Sequence, residues 1–203
     1  MAFIGMRHPV VATLASHTEG SEPTYNAGKI IGHAIAGNLT ITRNNNPLYG
    51  DDVIVEDDNG ITGMSLELGL DDIEEAVRVY MLGLKEVTVG TGQDATKEYH
   101  DTDDSAPYVG VGYIRVRRKN GTTSYQAVWI YKSVFAEESE NSATKGESIE
   151  WQTPTITGRA MGLNVGGSGE RTFRKKALFT TEAAAVAWLN TLAGISSSSS
   201  SST

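Results

Sequence analysis

Cysteine is absent from this chain of 203 residues, so the chain can form neither a disulfide bond nor a thiolate metal site. Proline is scarce, with 5 residues, whereas glycine reaches 22, and this balance favours a β-rich chain with many turns. No apolar run approaches the roughly 20 residues that cross a membrane, and the first residues lack the apolar segment of a signal peptide. We therefore expect a protein without a membrane anchor that folds in a reducing cytoplasm.

Motifs for catalysis are also missing or incomplete. Residues 90–95 (GTGQDA) match the spacing of a dinucleotide-binding turn, but the residues after them lack the apolar face of the helix that such a site needs. The four histidines have no ligand spacing, and His33 lies on an apolar strand face, which predicts a core or interface histidine. Acidic turns do not match an EF-hand loop. We expect no catalytic residue, no cofactor-binding residue, no metal ligand and no enzyme activity.

The net charge is −8, from 25 acidic and 17 basic residues. Because Lys and Arg supply most of the affinity for phosphate, this acidity argues against a nucleic-acid-binding protein. It fits either a soluble subunit or a surface that repels passing DNA. Arg115, Arg117, Arg118 and Lys119 form a basic cluster at the tip of a predicted hairpin, which a contact with an acidic neighbour explains.

Residues 1–29 have weak periodicity and predict an extended N-terminal arm, with a short strand near residues 10–14. Alternation of apolar residues predicts strands at 31–42 and 61–70. The segment between them, 43–60, is too long for a simple connection between two strands. It predicts a long loop or loose hairpin that projects from the body and contacts a neighbouring subunit. The alternative is that residues 53–55 form another strand of the same sheet.

The candidate contact residues between subunits come from this loop and from the basic cluster. They are Asn46, Pro47, Leu48, Tyr49, Val53, Ile54, Val55, Arg117 and Arg118.

A capping box at Asp71 and Glu74 predicts a helix that ends near Gly83. Residues 85–89 are then expected to return to the sheet, and residues 90–106 to be irregular. Residues 108–119 and 122–135 predict a hairpin joined by Asn120-Gly121. The second strand of this hairpin is apolar on both faces, with Trp129 and Phe135 assigned to the same face, so both faces must be covered.

The last third of the chain predicts two strands, a helix and a polar tail. Residues 145–158 (KGESIEWQTPTITG) alternate as one long strand, and Pro154 predicts an edge position or a bulge because it cannot donate a ladder hydrogen bond. A glycine-rich turn at 164–170 and a strand at 171–179 follow. A short helix is expected to begin near Thr181, and the serine-rich residues 195–203 are expected to be disordered.

The segment 145–158 also resembles the signature of the major tail proteins of long-tailed, non-contractile bacteriophages (siphovirus type). Further blocks resemble the same family in chain order: 28–32 (GKIIG), 46–52 (NPLYGDD), 68–72 (LGLDD), 106–110 (APYVG), 117–121 (RRKNG), 179–183 (FTTEA) and 187–190 (AWLN). These blocks span most of residues 1–193, and together they are far more specific than any one of them.

The resemblance implies a mainly β fold with minor α content, namely a β-sandwich or curled barrel with a flanking helix and a short C-terminal helix. It implies a single tail-tube domain over residues 1–194 of a structural virion protein. Subunits would assemble in the bacterial host cytoplasm into hexameric rings, and stacked rings would form the tail tube through which DNA passes without specific binding. The implied partners are further copies of the chain and the tape-measure, tail-tip and tail-terminator proteins.

A different class remains open. A β-sandwich binding module, which would bind a receptor or a carbohydrate, predicts a cluster of exposed aromatic side chains at a loop tip.

Overall fold

The computed structural model describes residues 2–92, 95–101, 106–136 and 153–195. The chain is mainly β with two helices, which confirms the predicted fold class. In chain order the elements are β1 (Ala2–Ser16), β2 (Thr24–Ile30), β3 (Ala34–Arg43), β4 (Asn46–Gly50), β5 (Val53–Asp58), β6 (Ile61–Leu70), α1 (Glu75–Leu82), β7 (Lys85–Val89), β8 (Thr96–His100), β9 (Val109–Lys119), β10 (Thr122–Ala136), β11 (Thr155–Met161), β12 (Arg174–Phe179) and α2 (Glu182–Ala193).

One large antiparallel sheet organises the molecule. Its strands follow the order β2-β1-β9-β10-β11-β6-β3, and β12 pairs with the part of β10 that β11 leaves free. The sheet curls so that its last strand, β3, packs against β1, where the Met6 side chain fills the space above Gly37. Strands β4 and β5, and strands β7 and β8, form two separate two-stranded sheets.

A hydrophobic core lies on each face of this sheet. The inner core fills the curl and includes Leu66, Leu68, Val128 and Ile130, with α1 packed against it through Val77 and Met81. The outer core includes Trp129 and Tyr131 and is covered by α2. Strand β10 thus buries both of its faces, as its sequence predicts, because one sheet face meets the curl and the other meets a helix.

The predicted β9–β10 hairpin is confirmed. Lys119 lies opposite Thr122, and the two residues between them, Asn120 and Gly121, have φ values of 49° and 80°. Such a turn needs positive φ at both central positions, and Asn-Gly adopts it at little cost. Strand β6 is also as predicted, since Met64, Leu66, Leu68 and Leu70 are all buried.

Phe135 lies in the inner core rather than on the face of Trp129, so its predicted face is wrong. The pairing of β10 with β9 shifts between Ile130 and Ser133. An irregularity of this kind interrupts the strict alternation of a strand and moves later side chains to the other face. Periodicity alone cannot show where that happens.

The predicted N-terminal arm is wrong, although the short strand expected near residues 10–14 is observed as part of β1. Residues 2–16 form β1, which lies inside the sheet between β9 and β2, and residues 24–30 form β2. The periodicity of β1 is weak because Val10, Val11 and Ala12 are consecutive and fully buried on both faces of the sheet. A register shift between Arg7 and Val10, where His8 has a φ of 51°, interrupts the pattern further.

The predicted capping box does not form. Helix α1 begins at Glu75 without a side-chain cap. Asp71 instead accepts hydrogen bonds from the backbone N–H of His33 at 2.8 Å and from its Nδ1 at 3.0 Å. His33 is therefore exposed beside Asp71, and its assignment to the core is wrong. Gly83 ends the helix as predicted, with a φ of 77°.

Two further predictions need correction. Residues 85–89 pair with β8, a strand within the segment expected to be irregular, and not with the main sheet. The described part of segment 145–158 is not an edge, because β11 lies between β10 and β6. Pro154 precedes the first ladder pair of β11, so its missing N–H costs nothing there, and its carbonyl oxygen accepts from Leu70 N at 3.1 Å. Residues 145–152 and the serines from 196 lie outside the described residues.

The second helix is confirmed. Thr181 caps α2 by accepting a hydrogen bond from Ala184 N at 3.4 Å. Ala185, Leu189 and Ala193 are buried on one side of the helix, against the outer core.

Candidate assembly surface

Strands β4 and β5 form a hairpin that extends the β3–β6 ribbon beyond the main sheet. The ladder runs from Asn46 opposite Asp58 to Gly50 opposite Val53. The turn residues Asp51 and Asp52 have φ values of 50° and 63°, the backbone of a tight two-residue hairpin turn. At about 3.3 Å per residue, the five residues of β4 span roughly 17 Å. The loose hairpin among the sequence-based expectations is therefore observed, and residues 53–55 are a strand of this small sheet, not of the large one.

Apolar side chains of the β4–β5 hairpin are left uncovered by the rest of the subunit. The exposed fraction lies between 54% and 67% for each of five side chains, namely Leu48, Tyr49, Val53, Ile54 and Val55. Every residue of β5 is exposed. Alternation along β5 places Val53 and Val55 on one face of the ribbon and Ile54, opposite Tyr49, on the other, and exposed apolar surface of this kind is typical of association sites.

The base of the hairpin is held by polar contacts. Asn44 Nδ2 donates to Asp58 Oδ2 at 2.7 Å, and Asn44 N donates to the Gly60 carbonyl oxygen at 2.8 Å. Arg43 donates from Nη1 to the Asn59 carbonyl oxygen at 2.9 Å. These contacts join the hairpin to the end of the β3–β6 ladder, so that it presents its apolar side chains on an ordered ribbon.

The hairpin is strongly acidic. Between residues 44 and 60 the chain carries five carboxylates and no lysine or arginine. The carboxylates belong to Asp51, Asp52, Glu56, Asp57 and Asp58. A positively charged surface would be electrostatically complementary to these carboxylates.

Arg117 and Arg118 belong to the large sheet and not to the hairpin's own sheet. In β9, Arg117 lies opposite Phe3 and Ser124, and Arg118 lies opposite Ala2 and Thr123. Because successive side chains of a strand point to opposite faces of the sheet, the predicted basic cluster is divided between the two faces. Arg117 is half-buried, as is Arg115 two residues before it, whereas Arg118 is exposed at the end of the strand.

A groove opens beside these arginines where the curled sheet does not close. Its two rims are the N-terminal part of β1, which pairs with β9 alone, and β3, which pairs with β6 alone. The volume of this seam groove is about 480 Å³. Its walls include Phe3, Met6, Ile35, Leu39, Ile41, Tyr113, Arg115 and Arg174.

Two cations, Arg115 and Arg174, line the seam groove, and a third, Lys176, follows two positions after Arg174 on β12. Arg174 and Lys176 of β12 stand opposite Ile130 and Val128, both inner-core residues, so these two cations share the inner face. The Arg115 guanidinium lies over the Phe3 ring at 3.5 Å from its centroid. Burial lowers the pKa of Lys176, and the charges of Arg174 and Arg115 lower it further.

Burial raises the pKa of Tyr113, and the positive charges of Arg115 and Arg174 lower it. Elsewhere in the described part of the chain, Arg7 pairs with Glu182, Lys97 with Glu86, and Lys175 with Glu22.

Sequence reasoning missed Phe3, Arg174 and Lys176. Residues two positions apart in a strand lie on the same face, so the sequence indicates that Arg174 and Lys176 share a face, as do Arg115 and Arg117. Strands β12 and β9 both flank β10, and β1 brings Phe3 to the same place. These positions follow only from long-range strand pairing.

Sites for other chemistry are not assembled in the residues that the structure describes. The GTGQDA segment follows β7 and leads into the strand β8, not into a helix. No group of three or more His, Asp or Glu side chains is arranged to hold a metal ion in the described ranges. Among the same residues, no helix is long and apolar enough to cross a membrane.

Comparison of the chain with protein-family models finds no match, and comparison with curated proteins finds none either.

Proposed function

We propose that this chain is a structural subunit that associates with copies of itself into hexameric rings, which stack into a phage tail tube. The observation that carries the proposal is the β4–β5 hairpin, an ordered ribbon with five exposed apolar side chains. An isolated subunit gains nothing from exposing them, whereas a neighbouring copy would bury them. The tube and the number six rest on the family resemblance of the sequence blocks.

The position of the hairpin supports repeated association. It lies at one end of the β3–β6 ladder, in a small sheet of its own. A contact between two different surfaces of identical chains repeats from copy to copy, and it gives a closed ring or an open stack. Both are needed for a tube.

The distribution of aromatic side chains favours a subunit over a carbohydrate- or receptor-binding module. In the described ranges, the exposed aromatic residues are Phe3 in β1, Tyr49 in β4 and Tyr108 before β9. They come from separate elements, whereas Trp129 is fully buried in the outer core. A sugar-binding platform would need several exposed rings on one surface.

The net charge of −8 is consistent with passage of DNA through such a tube. Fixed positive charge on the lumen wall would hold phosphate and slow the passage. The virion location, the role in DNA ejection and the contacts with tape-measure, tail-tip and tail-terminator proteins belong to the same proposal.

Replacement of residues 44–58 by a short Gly-Ser linker tests the role of the hairpin. We expect the wild-type chain to sediment as large assemblies at high protein concentration and the replaced chain to sediment as a folded monomer. Circular dichroism supplies the control, because the large sheet is complete without β4 and β5. Assemblies of the replaced chain equal to those of the wild type would contradict the proposal.

A further inference from the structure

The seam groove and the β4–β5 hairpin carry opposite charges and are both partly apolar. The hairpin holds five carboxylates without a cation, and the groove holds Arg115 and Arg174 beside Phe3 and Ile35. The side chains of Phe3 and Ile35 are exposed by 43% and 59%, so apolar surface is uncovered on both partners. We propose that the seam groove of one subunit is the docking site for the β4–β5 hairpin of a second copy of this chain. This inference rests on the proposed assembly and names the surface that receives the hairpin.

The strands that form the groove rims can pair with a further extended segment. Residues 3–7 of β1 pair with β9 on one side only, and β3 pairs with β6 on one side only, so each rim has one edge without a strand partner in the described part of the chain. Unpaired strand edges accept a further strand, which gains main-chain hydrogen bonds in addition to side-chain contacts. A β-hairpin offers such a strand already formed, so little conformational entropy is lost when it binds.

The positive charge of the seam groove favours an acidic segment as its occupant. Arg115 and Arg174 line the groove as two like charges, and Lys176 lies close enough to both that their charges add to the effect of burial in lowering its pKa. An occupant with carboxylates offsets these like charges, and the hairpin supplies Glu56 and Asp57 on an exposed strand. Asp58 is already engaged by Asn44 and Gly60 at the hairpin base. The contact joins two different surfaces, so it leaves one free hairpin and one free groove at the ends of any open stack.

Charge reversal with rescue tests the contact. The groove variant carries Arg115→Glu and Arg174→Glu, and the hairpin variant carries Glu56→Lys and Asp57→Lys. Each variant alone places like charges together, so we expect the concentration needed for assembly to rise more than about tenfold. An equimolar mixture restores opposite charges at every contact, as does a single chain with all four changes, and both should assemble at nearly the wild-type concentration.

A matched control separates this contact from a general effect of charge. Lys85→Glu with Arg171→Glu changes the net charge as much as the groove variant does, at exposed positions outside the groove and outside the basic cluster. This control should assemble like the wild type, and thermal unfolding checks that every variant is folded. Because the chain has no cysteine, a mixture of Ile35→Cys and Leu48→Cys chains gives a second readout, a disulfide-linked pair of two different chains.

The outcomes are distinguishable. A wild-type chain that stays monomeric contradicts the proposed assembly and this contact with it. Wild-type assembly that the groove variant leaves unchanged, or that the mixture does not restore, overturns the contact alone. Loss of binding to double-stranded DNA in the groove variant, with assembly intact, would assign the groove to phosphate and would also overturn it.

Discussion

Gly110 shows how a single residue allows the outer core to form. A Cβ atom at this position of β9 would lie 2.6 Å from Cζ2 of Trp129, closer than side chains tolerate. The Tyr25 ring packs at the same place and meets Trp129 edge to face, with the ring centroids 5.0 Å apart. Because Gly110 has no side chain, the rings of Tyr25 and Trp129 can occupy the space beside its backbone.

Gly110→Ala should therefore destabilise the subunit. Overpacking a well-filled core costs about 1–3 kcal/mol in free energy of unfolding, which chemical denaturation measures. The matched control is Gly63→Ala in β6, where an added Cβ meets nothing within 4 Å. This control should be neutral or stabilising by up to about 1 kcal/mol, because alanine loses less backbone entropy than glycine in a strand. Equal effects of the two changes would refute this account of the packing.

Tyr25 also links stability to pH. Its hydroxyl donates to the Tyr131 carbonyl oxygen at 2.6 Å, and burial raises its pKa above the ordinary value of 10.0. The folded state therefore keeps a proton that the unfolded chain loses. The stability from this group is fully present below pH 10 and is lost as the pH rises above that value. Burial raises the pKa of Tyr131 in the same direction.

In Tyr25→Phe, the lost hydrogen bond should cost about 1–3 kcal/mol at neutral pH, because the buried carbonyl loses its donor. The variant should then lose less stability than the wild type between neutral pH and pH 11, with the remainder due to Tyr131 and Tyr113. Urea unfolding at both pH values measures the difference. An identical alkaline loss in the two proteins would show that Tyr25 does not titrate with unfolding.

At the scale of elements, the predicted and the missed parts of the fold differ in a physical way. Strand β6, the β9–β10 hairpin and helix α2 were predictable because each has a local signal: alternation, an Asn-Gly turn or a threonine cap. Strand β1 was predicted only near residues 10–14, because a register shift between Arg7 and Val10 and three consecutive buried residues leave the whole strand without alternation. Helix α1 begins later than predicted because Asp71 binds His33, a partner 38 positions away.

The same distinction applies to the candidate site. The β4–β5 hairpin was visible in the sequence as apolar residues inside a long polar connection. The seam groove was not, because its walls come from β1, β3, β9 and β12, which meet only when the sheet curls. Local patterns therefore locate a projecting element but not the surface that receives it.

Tyr49 and Ile54 face each other across the β4–β5 ladder and offer a test of the hairpin as an element. Tyr49→Ala with Ile54→Ala should change the free energy of unfolding by no more than roughly 1 kcal/mol, because both side chains are exposed. The same change should weaken association, because aromatic and large apolar residues dominate protein interfaces. Thermal unfolding and sedimentation velocity measure the two effects.

The control for this variant is Val89→Ala, which truncates an exposed apolar residue in β7. It should leave both stability and association unchanged. A Tyr49/Ile54 variant that unfolds easily would instead mean that the hairpin supports its own subunit.

At the scale of the whole molecule, acidity and assembly have to be compatible. A subunit with a net charge of −8 repels its copies at long range. Local contacts must overcome this repulsion, and added salt screens it over about 8–10 Å at physiological ionic strength. In the proposed contact, the acidic hairpin and the basic seam groove would supply a local attraction that acts against the global charge.

Electron microscopy of the purified wild-type chain at high concentration tests the central claim most directly. The account predicts rings of six subunits and stacks of such rings, with the β4–β5 hairpin of each subunit in contact with another copy. A field of isolated monomers at every concentration, from a chain that circular dichroism shows to be folded, would contradict it.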